Sequence, residues 1–224
     1  MRDDAARSAA RPQRRVAGAA RLLLHPAAKP LLALACMIPF AWLLHGALND
    51  TLGTNPAETL MRSTGDWTLR FLCATLAVTP LRQLTGHAAL VRYRRMLGLF
   101  TFFYACVHFL CYSWLDMGFV PGDIVRDIPK RPFILVGTTA LLLMLPMAAT
   151  SFNAAIRTLG AARWKALHRA IYAVAVFALL HFFWMRAAKN NFGEPAVYAA
   201  IVALLLGWRL VQHWRGRRLA PAPR

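Results

Sequence analysis

Acidic side chains are scarce in this sequence. Nine Asp and Glu stand against 27 Lys and Arg in 224 residues, a formal charge of +18. Cysteine is scarce as well: there are four, with no CxxC pair, which argues against a thiolate-held metal or a dithiol redox centre. Cys36, Cys73, Cys106 and Cys111 all fall in apolar runs and read as small packed side chains. No Gly-rich phosphate loop follows a strand, and no stretch has room for a soluble nucleotide-binding domain. If the chain carries electrons, they come from a separate molecule or a membrane-soluble carrier. Strict apolar/polar alternation is missing, which argues against a membrane β-barrel. No internal repeat is visible.

What the sequence has is apolar length. Hydrophobic residues make up 58% of the chain, and its mean hydropathy is positive. Six runs stand out, at 31–48, 67–84, 96–115, 133–150, 166–185 and 195–214. Each approaches the ~20 helical residues that cross ~30 Å of hydrocarbon. Backbone polar groups in lipid must be paired within the segment, so the expected fold class is all-α, a six-helix integral membrane bundle. The expected organisation is a basic N-terminal segment at 1–30, the bundle at 31–214 and a tail at 215–224. The first run lacks a small-residue cleavage site and reads as an uncleaved span.

The basic excess looks at first like a nucleic-acid signature, but its placement favours another reading. Twenty of the 27 basic residues fall on the face that carries both ends, six fall on the other, and Arg70 lies just inside a span. By the positive-inside rule both termini are cytoplasmic in a bacterial inner membrane, with anionic lipid headgroups as the partner of the basic face and no nucleic acid. Seven of the nine acids fall on the outer face. Trp42, Trp67, Trp114, Trp184 and Trp208 sit near span ends, as an aromatic belt predicts.

Ionisable residues inside spans are functional candidates by default. His108 lies 13 residues beyond Arg95, and His181 lies 16 beyond Lys165. Both are about 20–25 Å from the basic boundary at 1.5 Å per residue, so they match in depth. Two such histidines on separate spans suit the two axial positions of one haem iron. The bland alternative is a pair of histidines bonded to neighbouring helices. His168 sits near the inner boundary, about 140° out of phase with His181 on an ideal helix. It fits a second haem ligand, a quinone, flavin or propionate contact, or a structural interfacial histidine. Arg94 and Arg95 suit a haem propionate, a flavin phosphate or a quinone headgroup, or mark topology alone. Arg70 reads either as an i,i+4 partner of Asp66 that snorkels outward, or as a propionate clamp.

Particular segments carry a family likeness. They are Asn55-Pro56-Ala57-Glu58, Thr64-Gly65-Asp66-Trp67, LAVTPLR at 76–82 and RYRRMLGL at 92–99. FFYACVHF at 102–109, KRPFILVG at 130–137, Leu167-His168-Arg169 with Tyr172, and LHFFW at 180–184 continue the series. Together they resemble the haem-binding membrane subunits of bacterial periplasmic methionine sulfoxide reductase systems, the MsrQ group of the ferric reductase-like transmembrane domain family. The resemblance spans roughly 48–190. It implies haem b and FMN as cofactors, electrons from the quinone pool or a flavin-dependent donor, and delivery to a periplasmic molybdenum-cofactor subunit that performs the catalysis. The family's histidines map onto His108, His168 and His181. Its larger relatives carry two histidines on each of two helices, and this chain lacks one in the third span. The alternatives from the residues alone are a stand-alone ferric or quinone reductase, and a non-redox transporter-like bundle.

Overall fold

The computed structural model describes residues 20–187 and 190–218. Most of the 1–30 segment and the tail beyond 218 lie outside the described residues. Among the described residues there is no strand, and the chain is a succession of helices. They are α1 (Ala28–Leu48), α2 (Pro56–Thr85), α3 (Val91–Cys111), α4 (Pro121–Asp127), α5 (Pro132–Ala149), α6 (Asn153–Leu159), α7 (Ala161–His168), α8 (Ile171–Ala187) and α9 (Gly193–Arg218). A 3-10 turn, Ala88–Leu90, leads into α3, and a π-helical turn, Tyr112–Asp116, ends it.

Five helical stretches are long and apolar enough to cross a membrane: Ala28–Leu48, Ala88–Asp116, Pro132–Ala149, Ala161–Ala187 and Gly193–Arg215. The remaining long helix, α2, has 30 residues and carries several charges. It begins eleven residues before the apolar run at 67–84, because its start signals are local. The Asn55 side chain accepts the Glu58 N–H at 3.1 Å, and Pro56 opens the first turn. Gly86 stops it in the left-handed conformation, at φ 72°, where its N–H reaches the Arg82 carbonyl.

Prolines interrupt three helices, and a neighbouring side chain reaches the backbone at two of the interruptions. Pro80 has no N–H to offer the Leu76 carbonyl one turn back. Arg209 of α9 donates to that carbonyl at 2.8 Å instead. In α1, near Pro39, the fully buried Tyr104 hydroxyl donates to the Cys36 carbonyl at 2.8 Å and accepts the Phe40 N–H at 3.0 Å. A side chain from α3 is thus inserted into the backbone ladder of α1.

The core has two parts. Leu72, Leu76, Val174, Ala175 and Val202 pack where α2, α8 and α9 meet. An aromatic group, Phe40, Trp67, Phe71, Phe100, Phe103 and Tyr104, fills the space between α1, α2 and α3. Large apolar side chains such as Leu34, Ile38, Leu142, Val176 and Leu204 point outward, as lipid-facing positions do. The most extensive pairings are α2 with α3 and α5 with α8. These two pairs hold the site between them.

The stretch Ala161–Ala187 is interrupted by a tightened turn: α7 ends at His168, α8 starts at Ile171, and the backbone bonds between them are of the i→i+3 kind. The turn removes the continuous helical phase relation between His168 and His181.

Candidate functional site

A cavity of about 340 Å³ opens between α2, α3, α5 and α8. Its walls are mostly apolar, including Leu69, Ala105, Ile134, Val174 and Phe182, and its lip carries Glu58, Arg62, Asp66, Asp116 and Arg131. His108 of α3 and His181 of α8 face each other across it, ring centroids 6.0 Å apart and ring planes 78° apart.

Each imidazole is fixed by its Nδ1. That of His108 lies 2.9 Å from the Met61 carbonyl of α2, with Thr64 Oγ1 at 3.3 Å. That of His181 lies 2.6 Å from the Phe133 carbonyl of α5. A carbonyl only accepts, so each Nδ1 carries the proton and each Nε2 is a bare lone pair. This is the tautomer a metal-ligating histidine needs, with its outer nitrogen already held.

The spacing tests whether iron fits. An imidazole nitrogen lies roughly 1 Å from its ring centroid, and a metal–nitrogen bond is about 2 Å, so two trans ligands place their centroids roughly 6 Å apart. The observed separation meets that requirement. Among the described residues no group of three or more His, Cys, Asp and Glu side chains could hold a metal ion. A structural zinc site needs four ligands and a catalytic one three, whereas a porphyrin brings four nitrogens of its own and asks the protein for two. The donor set therefore fits haem. Two glycines complete it. A Cβ on Gly65 would stand 3.1 Å from His108 Cε1, and one on Gly137 would stand 2.7 Å from His181 Nδ1. The neighbouring helices approach the rings only because these positions lack side chains.

At the mouth, Arg131 is held by Asp127, whose Oδ2 also accepts the Tyr112 hydroxyl at 2.7 Å. Asp116 lies 3.7 Å from Arg131, and Arg62 pairs with Glu58. The bonds from Arg131 and Tyr112 hold the Asp127 carboxyl below the usual carboxylate range. Arg62 and Arg131 are the cations at the cavity, and depth and spacing along the sequence single out neither. Arg70 is exposed; its guanidinium lies over the Trp67 ring at 4.6 Å and reaches the Tyr198 hydroxyl at 3.4 Å. It does not line the cavity.

His168, Arg94 and Arg95 come together at the other end of the bundle. They line a second, larger cavity of about 1190 Å³ with Lys165, Arg169 and Arg209. His168 stacks on Trp164 at 3.9 Å and directs its Nδ1 to the Trp164 carbonyl at 3.0 Å. Its Nε2 is buried, and the Met147 backbone lies beside the ring. Arg95 donates to Asn153 Oδ1 at 2.8 Å. Met144 lines both cavities and is the wall they share.

The fold is a bundle of apolar helices with a close pair of imidazoles in its interior. The ferric reductase like transmembrane component family matches residues 64–179, which with the five apolar helices makes this a multi-pass membrane protein. The chain is 63% identical over 203 residues to the protein-methionine-sulfoxide reductase heme-binding subunit MsrQ of Polaromonas naphthalenivorans, covering 91% of this chain and 93% of that one. The proteins of the same name from Bordetella pertussis and Ralstonia nicotianae are 53% and 52% identical, covering 86% and 83% of this chain and 93% and 85% of theirs. No solved structure matches the chain. The chain belongs to the MsrQ family, within the ferric reductase-like transmembrane proteins.

Proposed function

We propose that this chain is the membrane electron-transfer subunit of a periplasmic methionine sulfoxide reductase system. It holds haem b between His108 and His181, takes electrons from the quinone pool or a flavin-dependent donor, and passes them to a separate molybdenum-cofactor subunit in the periplasm. That partner reduces methionine sulfoxide in oxidised periplasmic proteins, and this chain contributes no catalytic side chain. The observation that carries the reading is the facing pair of imidazoles, each with Nδ1 on a backbone carbonyl and Nε2 free, 6.0 Å apart by centroid.

Bound haem supplies a one-electron ferric/ferrous couple. The protein supplies two neutral imidazoles, a low-dielectric cavity and the carbonyl bonds that set ligand basicity. Arg62 and Arg131 at the cavity lip are placed for the carboxylates of such a group. The larger cavity, with His168 beside Arg94 and Arg95, is the electron-entry end. A quinone headgroup, a flavin phosphate or the propionates of a second haem would each find a cation and a nitrogen there; FMN, in particular, is assigned from the family likeness.

Counting α2 as a span gives six, which returns both termini to the cytoplasmic side of the inner membrane and directs the 340 Å³ cavity toward the periplasm. At 1.5 Å per residue α2 is about 45 Å long, enough to cross and project beyond hydrocarbon. Its Arg62 is paired with Glu58 and its Arg70 lies over Trp67, so charge in this helix is compatible with the position.

The test is spectroscopic. The purified chain is expected to carry low-spin b haem, and His108→Ala or His181→Ala each to lose it or turn it high-spin. Near-normal low-spin spectra in both variants would sink the assignment. Reduction of a methionine sulfoxide substrate by the isolated chain would refute the division of labour.

A further inference from the structure

The two imidazoles rest on two copies of one local device. Met61 and Gly65 are four apart on α2, and Phe133 and Gly137 are four apart on α5. Residues i and i+4 lie one above the other on one helix face. In each pair the first residue offers a carbonyl to Nδ1 of a histidine from the adjacent helix, and the second has no side chain where the ring lies. Such a carbonyl has two lone pairs, so it bonds the N–H of its own helix and the imidazole together.

We propose that Gly65 and Gly137 are positioning residues. With the carbonyls of Met61 and Phe133 they form two imidazole seats that fix the planes of His108 and His181, and through them the spin state and potential of the haem. The proposal rests on the haem reading above.

The seats are unequal. At Gly137 a Cβ would come to 2.7 Å of Nδ1 and 3.0 Å of Cε1 on His181, whose bond to Phe133 is the shorter, at 2.6 Å. The ring cannot move away from such an atom without leaving its carbonyl. At Gly65 the closest approach is 3.1 Å, and His108 has a second contact, to Thr64. That approach is tight but longer than the one at Gly137, so a smaller shift of the ring relieves it. The planes that result are crossed at 78°. Ferric haem between crossed imidazoles gives a strongly axial low-spin electron paramagnetic resonance signal with a large maximal g value, whereas parallel imidazoles give a rhombic one. An imidazole that keeps its carbonyl bond is also the more basic ligand, which favours ferric iron and lowers the potential.

Small residues also occur at membrane helix contacts for packing alone. Packing would move stability and leave the resonance signal and midpoint potential in place. The experiment uses the full haem-loaded chain in detergent. It reads haem content, ferric resonance spectrum and midpoint potential for Gly137→Ala, Gly65→Ala and Gly122→Ala. A Cβ at Gly122 meets nothing within 4 Å. Gly137→Ala is expected to lose the crossed-plane signal to high-spin or rhombic species and to bind haem roughly 10-fold more weakly. Gly65→Ala is expected to keep its haem with a shifted maximal g value and a raised potential, and Gly122→Ala to match the parent. Parental g values and potential in both seat variants overturn the proposal, and so does damage at Gly65 equal to that at Gly137. If Gly137→Ala lacks the parent's helical circular dichroism, Gly65→Ala decides alone, and an unchanged signal there overturns it. Low-spin haem surviving in His108→Ala and His181→Ala would instead overturn the haem reading itself.

Discussion

Arg209 reaches across the bundle to a carbonyl that a proline has orphaned, and the coupling can be measured. Leu76 is 1% exposed, and Pro80 leaves its carbonyl without an intrahelical donor. Arg209→Met keeps the stem and removes the donor. An unsatisfied buried acceptor costs about 1–3 kcal/mol in soluble proteins, and polar contacts in membrane bundles average nearer ~0.6 with a ceiling near ~1.7. A loss of about 1–2 kcal/mol is expected, or roughly 2–8 °C in Tm for a chain of this size. Other contacts of Arg209, to the Leu205 carbonyl and the Tyr172 ring, also contribute to that loss. The cycle removes them. Pro80→Ala restores an N–H to the helix, so Arg209→Met in that background should cost about 1 kcal/mol less than in the parent. The assay is reversible unfolding of the four proteins in detergent, followed by circular dichroism. Equal costs of Arg209→Met in the two backgrounds would refute the reasoning.

The other expectations concern three sites. Tyr104→Phe strips the hydroxyl that joins Cys36 to Phe40, and should cost about 1–3 kcal/mol on the same assay with the haem spectrum unchanged. Arg94→Ala and Arg95→Ala should slow haem reduction by quinol or flavin donors more than they lower haem content; parental reduction rates at matched haem would leave the cluster as a topology signal only. The carboxyl of Asp127 is held below its ordinary value of 3.8, so the contact with Arg131 and Tyr112 stabilises the loop at pH above that value and is lost as pH falls through the lower folded value. Protection of the α4 amides, read as exchange relative to the intrinsic rate at each pH, should therefore fall below about pH 4 in the parent. Asp127→Asn should show the lower protection at all pH values, and a transition that survives in it would refute the assignment.

Depth along a span is readable from sequence, because rise per residue is fixed and basic residues mark the boundary. That is why residue spacing alone pairs His108 with His181, and why it groups His168 with Arg94 and Arg95. Which face meets which neighbour is not readable in the same way. Arg70 has the depth of a clamp but turns to Trp67 and Tyr198, while Arg62 and Arg131 stand at the cavity. Gly65 and Gly137 are plain in the sequence as glycines, yet their use depends on α2 lying along α3 and α5 along α8. The phase mismatch between His168 and His181 calls for a bend, and the chain provides a tightened turn at Arg169 and Ala170, where the backbone bonds switch to the i→i+3 pattern. For α2, hydropathy locates only the apolar run, whereas Asn55 and Pro56 set the true start.

The division of the site between two helix pairs has a consequence for biogenesis. On the haem reading proposed above, the α2–α3 pair, synthesised first, holds one ligand and one seat. The second ligand lies 73 residues further on. At translation rates of about 5–20 residues per second, some ~4–15 s separate the two. During that interval the nascent chain presents only one of the two imidazoles proposed to hold the haem. On the same reading, ligation by both imidazoles follows completion of the α5–α8 pair, and the cofactor then ties the two helix pairs together.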